Sequence, residues 1–183
     1  AKLECKIRGR IGPDESDNKS VKLLNRVIEW TDEGINYEAD QRHVDIIALG
    51  LGFDKNTKML AVPGTTDHIH TGDNPLDRGF DTQYRALTAR ANYLAQDRSD
   101  IMFAVKELCK HMSNPDANDW ENLKRLGKYL LGNPRVITHY RYQNCYEQVS
   151  VTTDSDWAGD KETRKSTSGG VIRLGNHVVK SWS

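Results

Sequence analysis

The spacing of hydrophobic residues changes period twice along the chain. Over residues 21–39 apolar and polar positions alternate, over 41–51 and 82–131 apolar positions recur every three to four residues, and over 149–182 they alternate again. Alternation is typical of strands with one buried face, and the longer period is typical of amphipathic helices. The pattern therefore predicts an α/β protein of the α+β type, with strands at both ends and helices between them.

The N-terminal strands are predicted to form a β-hairpin. One strand covers residues 21–30 and its partner covers 35–39. The polar segment 31–34 between them is a turn in which Gly34 is expected to supply a positive φ. A helix over 41–51 follows directly, so the chain begins with a hairpin and one helix.

Three further helices are predicted in the middle of the chain. They cover 82–96, 100–112 and the residues that follow a cap at Asp116 or Asn118. Each carries an apolar stripe at helical spacing, which is the usual sign of a surface that faces a core. Three striped helices of this length predict a helical bundle.

A long loop separates the first helix from this bundle. Residues 54–81 are rich in Gly, Pro, Thr and Asp, and Pro63 and Pro75 exclude a regular element. His68 and His70 form an H-x-H pair in the loop. Two imidazoles without further ligands belong more often to a polar loop than to a metal site. An unrelated metal-binding domain that uses this pair and the C-terminal aspartates is kept as the weaker alternative.

The C-terminal part is predicted to contain three short antiparallel strands. They cover 149–154, 170–174 and 178–182, and a polar run over 156–168 joins the first two. Short strands with short connections favour neighbours that pair in sequence order. The end of the chain is therefore expected to be a three-stranded sheet.

Three aspartates lie where the first of these strands ends. Asp154 is its last residue, and Asp156 and Asp160 follow in a turn that contains glycine. Carboxylate oxygens are the ligands that Mg²⁺ prefers, so Asp154 is a plausible metal ligand. The spacing alone equally describes a solvated acidic turn between strands, which is the commoner arrangement.

Bulk composition does not indicate a nucleic-acid-binding protein. The 26 Lys and Arg residues balance the 26 Asp and Glu residues, so a basic surface would have to be local. One concentration runs from Glu121 to Arg141, where five positive charges accompany one negative charge. Lys124, Arg125 and Lys128 form its helical part. Such a run is either a solvated helix face or a surface that follows phosphates.

Cysteine usage and hydropathy limit the compartment. Cys5, Cys109 and Cys145 are far apart and form no C-x-x-C pair, which fits a reducing environment. No apolar run approaches the roughly 20 residues of a bilayer-spanning helix, and the first residues lack a signal-peptide core. The sequence therefore predicts an intracellular protein that is not secreted and has no membrane partner.

Several stretches resemble the Pol polyproteins of Ty1/copia-type retrotransposons. The C-terminal stretches TDSDWAGD, TRKSTSGGV and LGNHVVKSWS resemble the opening of the ribonuclease H domain. The central stretch YRALTARANYLAQDRSDIMFAVKELCKHMSNP resembles the thumb and connection region. The earlier stretch LNRVIEWTDEGINYEADQRHVDIIALGLGF resembles the reverse transcriptase just beyond its palm. By this resemblance the chain spans the join between two enzymes.

The resemblance implies four segments. They are the end of the reverse transcriptase palm and start of the thumb at 1–53, a loop at 54–81, thumb and connection helices at 82–142, and the N-terminal part of a ribonuclease H domain at 143–183. The implied fold is a β-hairpin and a helical thumb-like bundle, followed by the first three antiparallel strands of a ribonuclease H-like sheet. The chain has no Asp-Asp pair of the kind that reverse transcriptases use, and it stops before the helix that carries the family's next acidic ligand. Neither active site is therefore expected to be complete.

For the parent polyprotein, the resemblance implies copying of RNA into DNA and Mg²⁺-dependent hydrolysis of the RNA strand of RNA–DNA hybrids. Asp154 takes the position of the first Mg²⁺ ligand and is the expected catalytic residue. Asp156 and Asp160 are weaker candidates and are better explained as turn residues. The fragment alone is expected to be inactive, and the alternative is a non-catalytic nucleic-acid-binding module or an inert remnant.

The resemblance also implies partners and a location. Lys161, Arg164 and Lys165, together with the basic helical residues, are expected to meet the phosphates of an RNA–DNA hybrid or template–primer. The remainder of the Pol polyprotein is the other expected partner. A cytoplasmic particle or the nucleus is the implied compartment.

Overall fold

A computed structural model describes most of the chain. It covers residues 7, 9–65, 72, 74–144, 148–160 and 163–183. Within these residues it contains four α-helices and seven strands in two antiparallel sheets, which confirms the predicted α+β class. The expectations for Cys5, Cys145, Lys161, His68 and His70 concern residues outside the described part.

The N-terminal sheet contains four antiparallel strands. These are β1 (Ser20–Leu23), β2 (Arg26–Thr31), β3 (Gly34–Glu38) and β4 (Ile137–Arg141), which lie side by side in this order. The first three come from one stretch of chain, whereas β4 enters after the helices and pairs with β3. The sheet therefore ties the beginning of the described chain to the segment that leaves the bundle.

The prediction of a single strand over 21–30 is wrong, because this segment forms two strands joined by a tight turn. Leu24 and Asn25 both have positive φ, at 50° and 63°, and reverse the chain between β1 and β2. Two consecutive positive φ values are the geometry of a two-residue hairpin whose twist matches that of the strands. Asn25 is a residue type that favours such a turn. The turn was not predicted because leucine rarely adopts a positive φ.

The predicted turn at 31–34 is present, but Gly34 has a different role from the expected one. Gly34 is the first residue of β3 and its φ is not positive. The turn is held by Thr31, whose Oγ1 accepts a hydrogen bond from the Gly34 N–H at 3.1 Å and donates one to the Gly34 carbonyl at 2.9 Å. The glycine is needed because β4 passes too close for a side chain.

The helices form the predicted bundle with changed boundaries. They are α1 (Arg42–Gly50), α2 (Arg78–Ala95), α3 (Met102–Lys110) and α4 (Ala117–Gly132). Helix α2 begins four residues before the expected start, and a short 3-10 helix over Ser99–Ile101 replaces the first turn of the third predicted helix. The apolar stripes form one core. Its buried hydrophobic residues are Ala39, Val44, Ile47, Tyr84, Leu87, Ala91, Leu94, Ala95, Ile101, Ala104, Val105, Leu108, Leu123, Leu126 and Leu130.

Helix α4 begins at a capping box. The Asp116 carboxylate accepts a hydrogen bond from the Asp119 N–H, and the Asp119 carboxylate accepts one from the Asp116 N–H, both at 2.9 Å. Asp116 is therefore the cap, not Asn118, and it satisfies backbone donors that helix formation would leave unpaired. Both aspartates are buried, which fixes the start of α4 against the bundle.

Asp100 binds an arginine and does not cap α3. Neither the 3-10 helix nor α3 has a side-chain cap hydrogen bond. The Arg98 guanidinium is only 1% exposed and donates to both Asp100 oxygens at 2.8 and 2.7 Å, and to the Asn133 carbonyl at 3.0 Å. Through the buried Arg98, this pair joins the start of α3 to the end of α4.

The three-stranded C-terminal sheet is present. Strands β5 (Val149–Ser155), β6 (Ser168–Leu174) and β7 (His177–Trp182) pair antiparallel in sequence order. Gly175, with a φ of 58°, supplies the positive φ in the turn between β6 and β7. All seven residues of β5 are exposed, so this strand forms an open edge.

Polar contacts connect this sheet to the rest of the protein. Lys106 on α3 donates to Thr167 Oγ1 at 3.1 Å, and Gln143 donates to the Leu174 carbonyl at 2.9 Å. The first contact places the turn between β5 and β6 beside α3. The predicted boundary at 143 stays a prediction, since contacts of this kind occur both within and between domains.

Candidate functional site

Asp154 lies one residue before the end of β5. Asp154 pairs with Gly169 of β6 and is exposed to solvent. One carboxylate oxygen accepts a hydrogen bond from the Ser155 N–H at 2.9 Å. A carboxylate on a paired strand is held by the backbone and still reaches solvent, which suits a ligand of a hydrated cation.

Asp156 holds the turn that follows. Its Oδ1 accepts hydrogen bonds from the Thr167 N–H at 2.7 Å and from the Gly159 N–H at 3.3 Å. The Asp156 N–H in turn donates to the Thr167 carbonyl at 3.1 Å. These contacts close the start and the end of the loop against each other, so Asp156 has the geometry of a turn residue.

Asp160 is also bonded within the turn. Its Oδ1 accepts a hydrogen bond from the Thr163 N–H at 2.8 Å, and its Oδ2 lies 3.4 Å from Lys110 Nζ. The hydrogen bonds from Thr163, followed by the contact with Lys110, lower the pKa of Asp160 to about 2. Asp160 is therefore a carboxylate that joins this turn to helix α3.

These aspartates alone do not fit a two-metal centre. Within residues 7, 9–65, 72, 74–144, 148–160 and 163–183, no three His, Cys, Asp or Glu side chains lie together as a metal site requires. Asp156 and Asp160 are used by the turn, so Asp154 is the remaining candidate. A Mg²⁺ site that uses Asp154 needs ligands beyond these residues, and no catalytic step follows from the geometry described.

The basic run on α4 is only partly a free surface. Lys124 pairs with Glu121 on the same helix at 2.6 Å. Arg125 donates from Nε to the Gly64 carbonyl at 3.1 Å and so holds the long loop against the helix. No hydrogen bond or ion pair of the Lys128 side chain is found among the described residues. Lys128 is the member of this run whose charge is most available to an anion.

A second basic surface brings the predicted Lys165 together with two lysines of α3 that were not predicted to bind nucleic acid. A cleft of about 650 Å³ lies between α3 and the turn that joins β5 to β6. Its lining residues are Lys106, Lys110, His111, Ser113, Asn114, Asp160, Thr163, Lys165, Ser166, Thr167, Ser168 and Ser183. Three are lysines and six are serines or threonines, a set rich in donors to anionic oxygen.

Charged neighbours keep Lys110 of this cleft protonated. Burial alone would lower the pKa of Lys110, but its contacts with Glu107 and Asp160 outweigh burial and raise it. Lys106 and Lys110 both contact Glu107, at 2.8 and 2.9 Å. Because these ammonium groups are fixed by neighbouring carboxylates, they are pre-positioned along one wall of the cleft.

His111 adds a conditional charge to the same wall. Its Nδ1 lies 2.7 Å from Asp119 Oδ1, and this hydrogen bond raises the pKa of the imidazole. Asp119 is fully buried and is also part of the capping box of α4. The start of α4 and the cleft are therefore electrostatically connected.

The structure brings some of the predicted site residues together and separates others. Lys165 and Asp160 line the cleft. Lys106 and Lys110 of α3, which were not predicted to have a functional role, lie beside them. Asp154 is not among the lining residues. Arg164 has a φ of 55° and donates its N–H to the Asp160 carbonyl at 2.9 Å, so it shapes the turn.

Comparison with known proteins shows clear relatives. The chain is 35% identical over 127 residues to the "Retrovirus-related Pol polyprotein from transposon RE2" of Arabidopsis thaliana, covering 69% of this chain and 8% of that protein. It is 37% identical over 102 residues to the corresponding polyprotein from transposon RE1 of the same plant, covering 56% of this chain and 7% of that protein. The chain is related to retrotransposon Pol polyproteins.

A third relative is an uncharacterized mitochondrial protein of Arabidopsis thaliana, 36% identical over 104 residues, or 56% of this chain and 42% of that protein. No family model and no solved structure matches the chain. The chain thus spans a small fraction of the length of the Pol polyproteins that it matches. The two Pol relatives confirm the predicted relationship to retrotransposon Pol proteins.

In this Pol-related chain, two groups of candidate residues lie outside the α4 run that contains Lys128. One is the exposed Asp154 on β5, and the other is the basic cleft between α3 and the C-terminal sheet. No helix in the described part of the chain is both long and apolar enough to cross a membrane. The two groups are polar and face solvent.

Proposed function

We propose that this chain is the part of a retrotransposon Pol protein that connects the end of the reverse transcriptase to the start of the ribonuclease H domain. In this proposal it holds RNA–DNA hybrid or template–primer by backbone phosphates. Support comes from the relationship to Pol polyproteins and from the order of a small sheet, a helical bundle and a second antiparallel sheet. The observation that carries the proposal is Asp154, exposed near the end of the first strand of that second sheet.

The nucleic-acid part of the proposal rests on local charge. The chain has no net charge, so attraction to a polyanion must come from particular surfaces. Lys128 on α4 and Lys165 beside the second sheet are two cations with no ion pair among the described residues. Contacts from such side chains to phosphates bind without reading bases, as a polymerase or nuclease that moves along a duplex requires.

The catalytic part of the proposal gives Asp154 one role only. Asp154 would supply one ligand to Mg²⁺, and the other ligands would come from residues that the structure does not describe. Mg²⁺ bound there would supply positive charge that stabilises a scissile phosphate. The contribution of this chain would be to hold the carboxylate at a fixed point on β5.

A second candidate function is a nucleic-acid-binding module without catalysis. The specific observation in its favour is that no group of three metal-binding side chains lies together in the described part of the chain. This candidate shares the phosphate contacts of the first proposal. The two differ only in what Asp154 does.

Hybrid binding tests the common part. The purified chain is titrated against a fluorescently labelled RNA–DNA hybrid at several salt concentrations. We expect affinity that falls steeply with salt, since each phosphate contact contributes roughly one unit to the log–log slope. Absent binding, or affinity independent of salt, contradicts the nucleic-acid proposal.

Cleavage separates the two candidates. In a Pol protein that contains this segment together with the following residues, Asp154→Asn is expected to abolish Mg²⁺-dependent cleavage of the RNA strand while leaving hybrid affinity unchanged. Asp156→Asn is the matched control, because asparagine keeps the acceptor oxygen that holds the turn. Cleavage that survives Asp154→Asn would favour the non-catalytic role.

A further inference from the structure

The cleft between α3 and the β5–β6 turn is lined mainly by lysines, serines and threonines. Lys106 and Lys110 lie on its helical wall, and Lys165 and Thr167 lie on the opposite wall. We propose that this cleft binds a backbone phosphate of nucleic acid, with Lys110 and Lys165 on either side of it. The proposal rests on the proposed nucleic-acid function and adds to it the place where the phosphate is held.

The donors of the cleft are arranged before any ligand arrives. Lys106 Nζ is fixed by Glu107 at 2.8 Å and by Thr167 Oγ1 at 3.1 Å. Lys110 Nζ is fixed by Glu107 at 2.9 Å and by Asp160 at 3.4 Å. An ammonium group has three donors, so each lysine keeps capacity for an anionic oxygen. Binding therefore requires little ordering of these long side chains.

The contact between Lys110 and Asp160 is the weaker of the two contacts of Lys110. At 3.4 Å it is longer than the 2.9 Å contact to Glu107, and the Asp160 carboxylate is also held by the Thr163 N–H. A phosphate oxygen can thus replace Asp160 at Lys110 without leaving Asp160 unbonded. Asp160 acts as an internal competitor for the proposed site.

The charge balance favours an anion over a cation. Three lysines and one aspartate line the cleft among the described residues, and His111 adds positive charge when protonated. Glu107 pairs with two of the lysines from the same helix. A divalent cation would meet a site with one carboxylate and several ammonium groups, whereas phosphate would meet complementary charge and hydroxyl donors.

The cleft also lies where a duplex could contact both parts of the molecule. One wall is α3 of the helical bundle and the other is the turn of the C-terminal sheet. A phosphate held between them would contact both at once. The proposed site is therefore a contact that fixes the duplex relative to the bundle and to Asp154.

The test measures hybrid affinity for variants that change the cleft charge in opposite directions. The probe is a labelled RNA–DNA hybrid of about 18 base pairs, titrated by fluorescence anisotropy over a salt series. Lys165→Gln and Lys110→Gln are each expected to weaken binding roughly tenfold and to reduce the salt slope by about one. Asp160→Asn is expected to strengthen binding, because it removes the competing carboxylate and keeps the acceptor for Thr163.

Matched control variants distinguish failure of the cleft proposal from failure of the proposed function. Lys22→Gln and Lys180→Gln remove exposed charges on strands away from the cleft and are expected to change affinity less than twofold. If the wild-type chain binds with a steep salt slope but the cleft variants match these controls, the cleft proposal is overturned and the proposed function stands. If the wild-type chain does not bind hybrid, the proposed function fails first and the inference fails with it.

The Asp160→Asn variant also distinguishes phosphate from metal. A cation site would lose affinity for Mg²⁺ or Mn²⁺ when its carboxylate is removed, whereas a phosphate site gains affinity for the hybrid. Weaker hybrid binding by Asp160→Asn, with the circular dichroism spectrum unchanged, overturns the inference. Circular dichroism of every variant checks that the fold is intact.

Discussion

Gly34 and Tyr140 approach so closely across the β3–β4 pair that the Tyr140 carbonyl oxygen occupies the place of a side chain on Gly34. A Cβ on Gly34 would also lie 2.7 Å from the Cα of Arg141, below the 3.0 Å that real Cβ atoms keep. Backbone atoms form this contact, so no side-chain rotation can relieve it. The close approach of β4 thus depends on a glycine at this position.

Gly34→Ala is expected to destabilise the protein by about 2 kcal/mol or more, since the added methyl group forces the two strands apart. Urea unfolding monitored by circular dichroism measures the change. Gly79→Ala is the matched control, because, apart from its chain neighbours and the adjacent backbone of α2, no atom is found within 4 Å of its Cβ position. Equal stability of the two variants would contradict the proposed role of Gly34.

Asp97 joins the N-terminal sheet to the end of α2. It accepts hydrogen bonds from Arg26 Nε and from the Tyr37 hydroxyl, both at 2.7 Å, and its side chain is 11% exposed. Asp97→Ala leaves an arginine and a tyrosine with fewer partners and is expected to cost about 3 kcal/mol. Urea unfolding measures the loss. The exposed Asp32, in the β2–β3 turn, provides an Asp→Ala control expected to change stability by less than about 0.5 kcal/mol.

Two histidines are expected to shift stability with pH in opposite directions. The hydrogen bond to Asp119 raises the pKa of His111 above its ordinary value of 6.5. Stabilisation from His111 is therefore complete below pH 6.5 and is lost as pH rises through its folded pKa. Burial lowers the pKa of His43, whose Nδ1 is buried without a hydrogen bond in the described structure. Stabilisation from His43 is present above pH 6.5 and is lost as pH falls through its folded pKa.

Single substitutions separate these contributions. Relative to wild type, His111→Gln is expected to lose stability more steeply on acidification from pH 8 to pH 5.5, and His43→Gln to lose it less steeply. Urea midpoints across this range are the measurement, and NMR titration of the imidazole protons checks the direction of each pKa shift. Parallel pH profiles for the two variants would contradict the assignment.

The basic run on α4 is expected to divide into a structural and a surface part. Arg125→Gln removes the hydrogen bond to the Gly64 carbonyl and is expected to lower the free energy of unfolding by about 1 kcal/mol. Lys128→Gln leaves the fold unchanged, and under the proposed function it reduces the salt slope of hybrid binding by about one unit. Thermal melts and anisotropy titrations of both variants make the comparison. A stable Arg125→Gln protein, or an unstable Lys128→Gln protein, would reverse the assignment.

The order of helices and strands could be predicted because it follows from the local spacing of apolar residues. The stripes of Tyr84, Leu87, Ala91 and Leu94 on α2 are buried as their spacing indicates, and the three C-terminal strands pair in sequence order. In contrast, the pairing of β4 with β3 joins distant segments, and no local pattern encodes it. The close approach at Gly34 is a result of that pairing, which explains why Gly34 was assigned a turn conformation.

In the candidate site, too, local features could be predicted from the sequence, whereas contacts between distant segments could not. The turn roles of Asp156 and Asp160 depend on neighbours within a few positions and could be inferred from an acidic, glycine-containing loop. The cleft depends on Lys110 meeting Asp160, 50 positions further along the chain. Because α3 was interpreted only through its apolar stripe, its lysines were assigned no function. The assignment of Asp154 as a Mg²⁺ ligand stays a prediction.

The late entry of β4 into the N-terminal sheet affects how the protein is made. Glu38 at the end of β3 and Arg135 just before β4 are 97 positions apart and form an ion pair at 2.7 Å. At a synthesis rate of about 5–20 residues per second, β3 leaves the ribosome roughly 5–20 seconds before its partner strand. During that interval its edge can pair with strands of neighbouring nascent chains. Slow translation of the segment that encodes the helical bundle would lengthen the interval in which this edge is exposed.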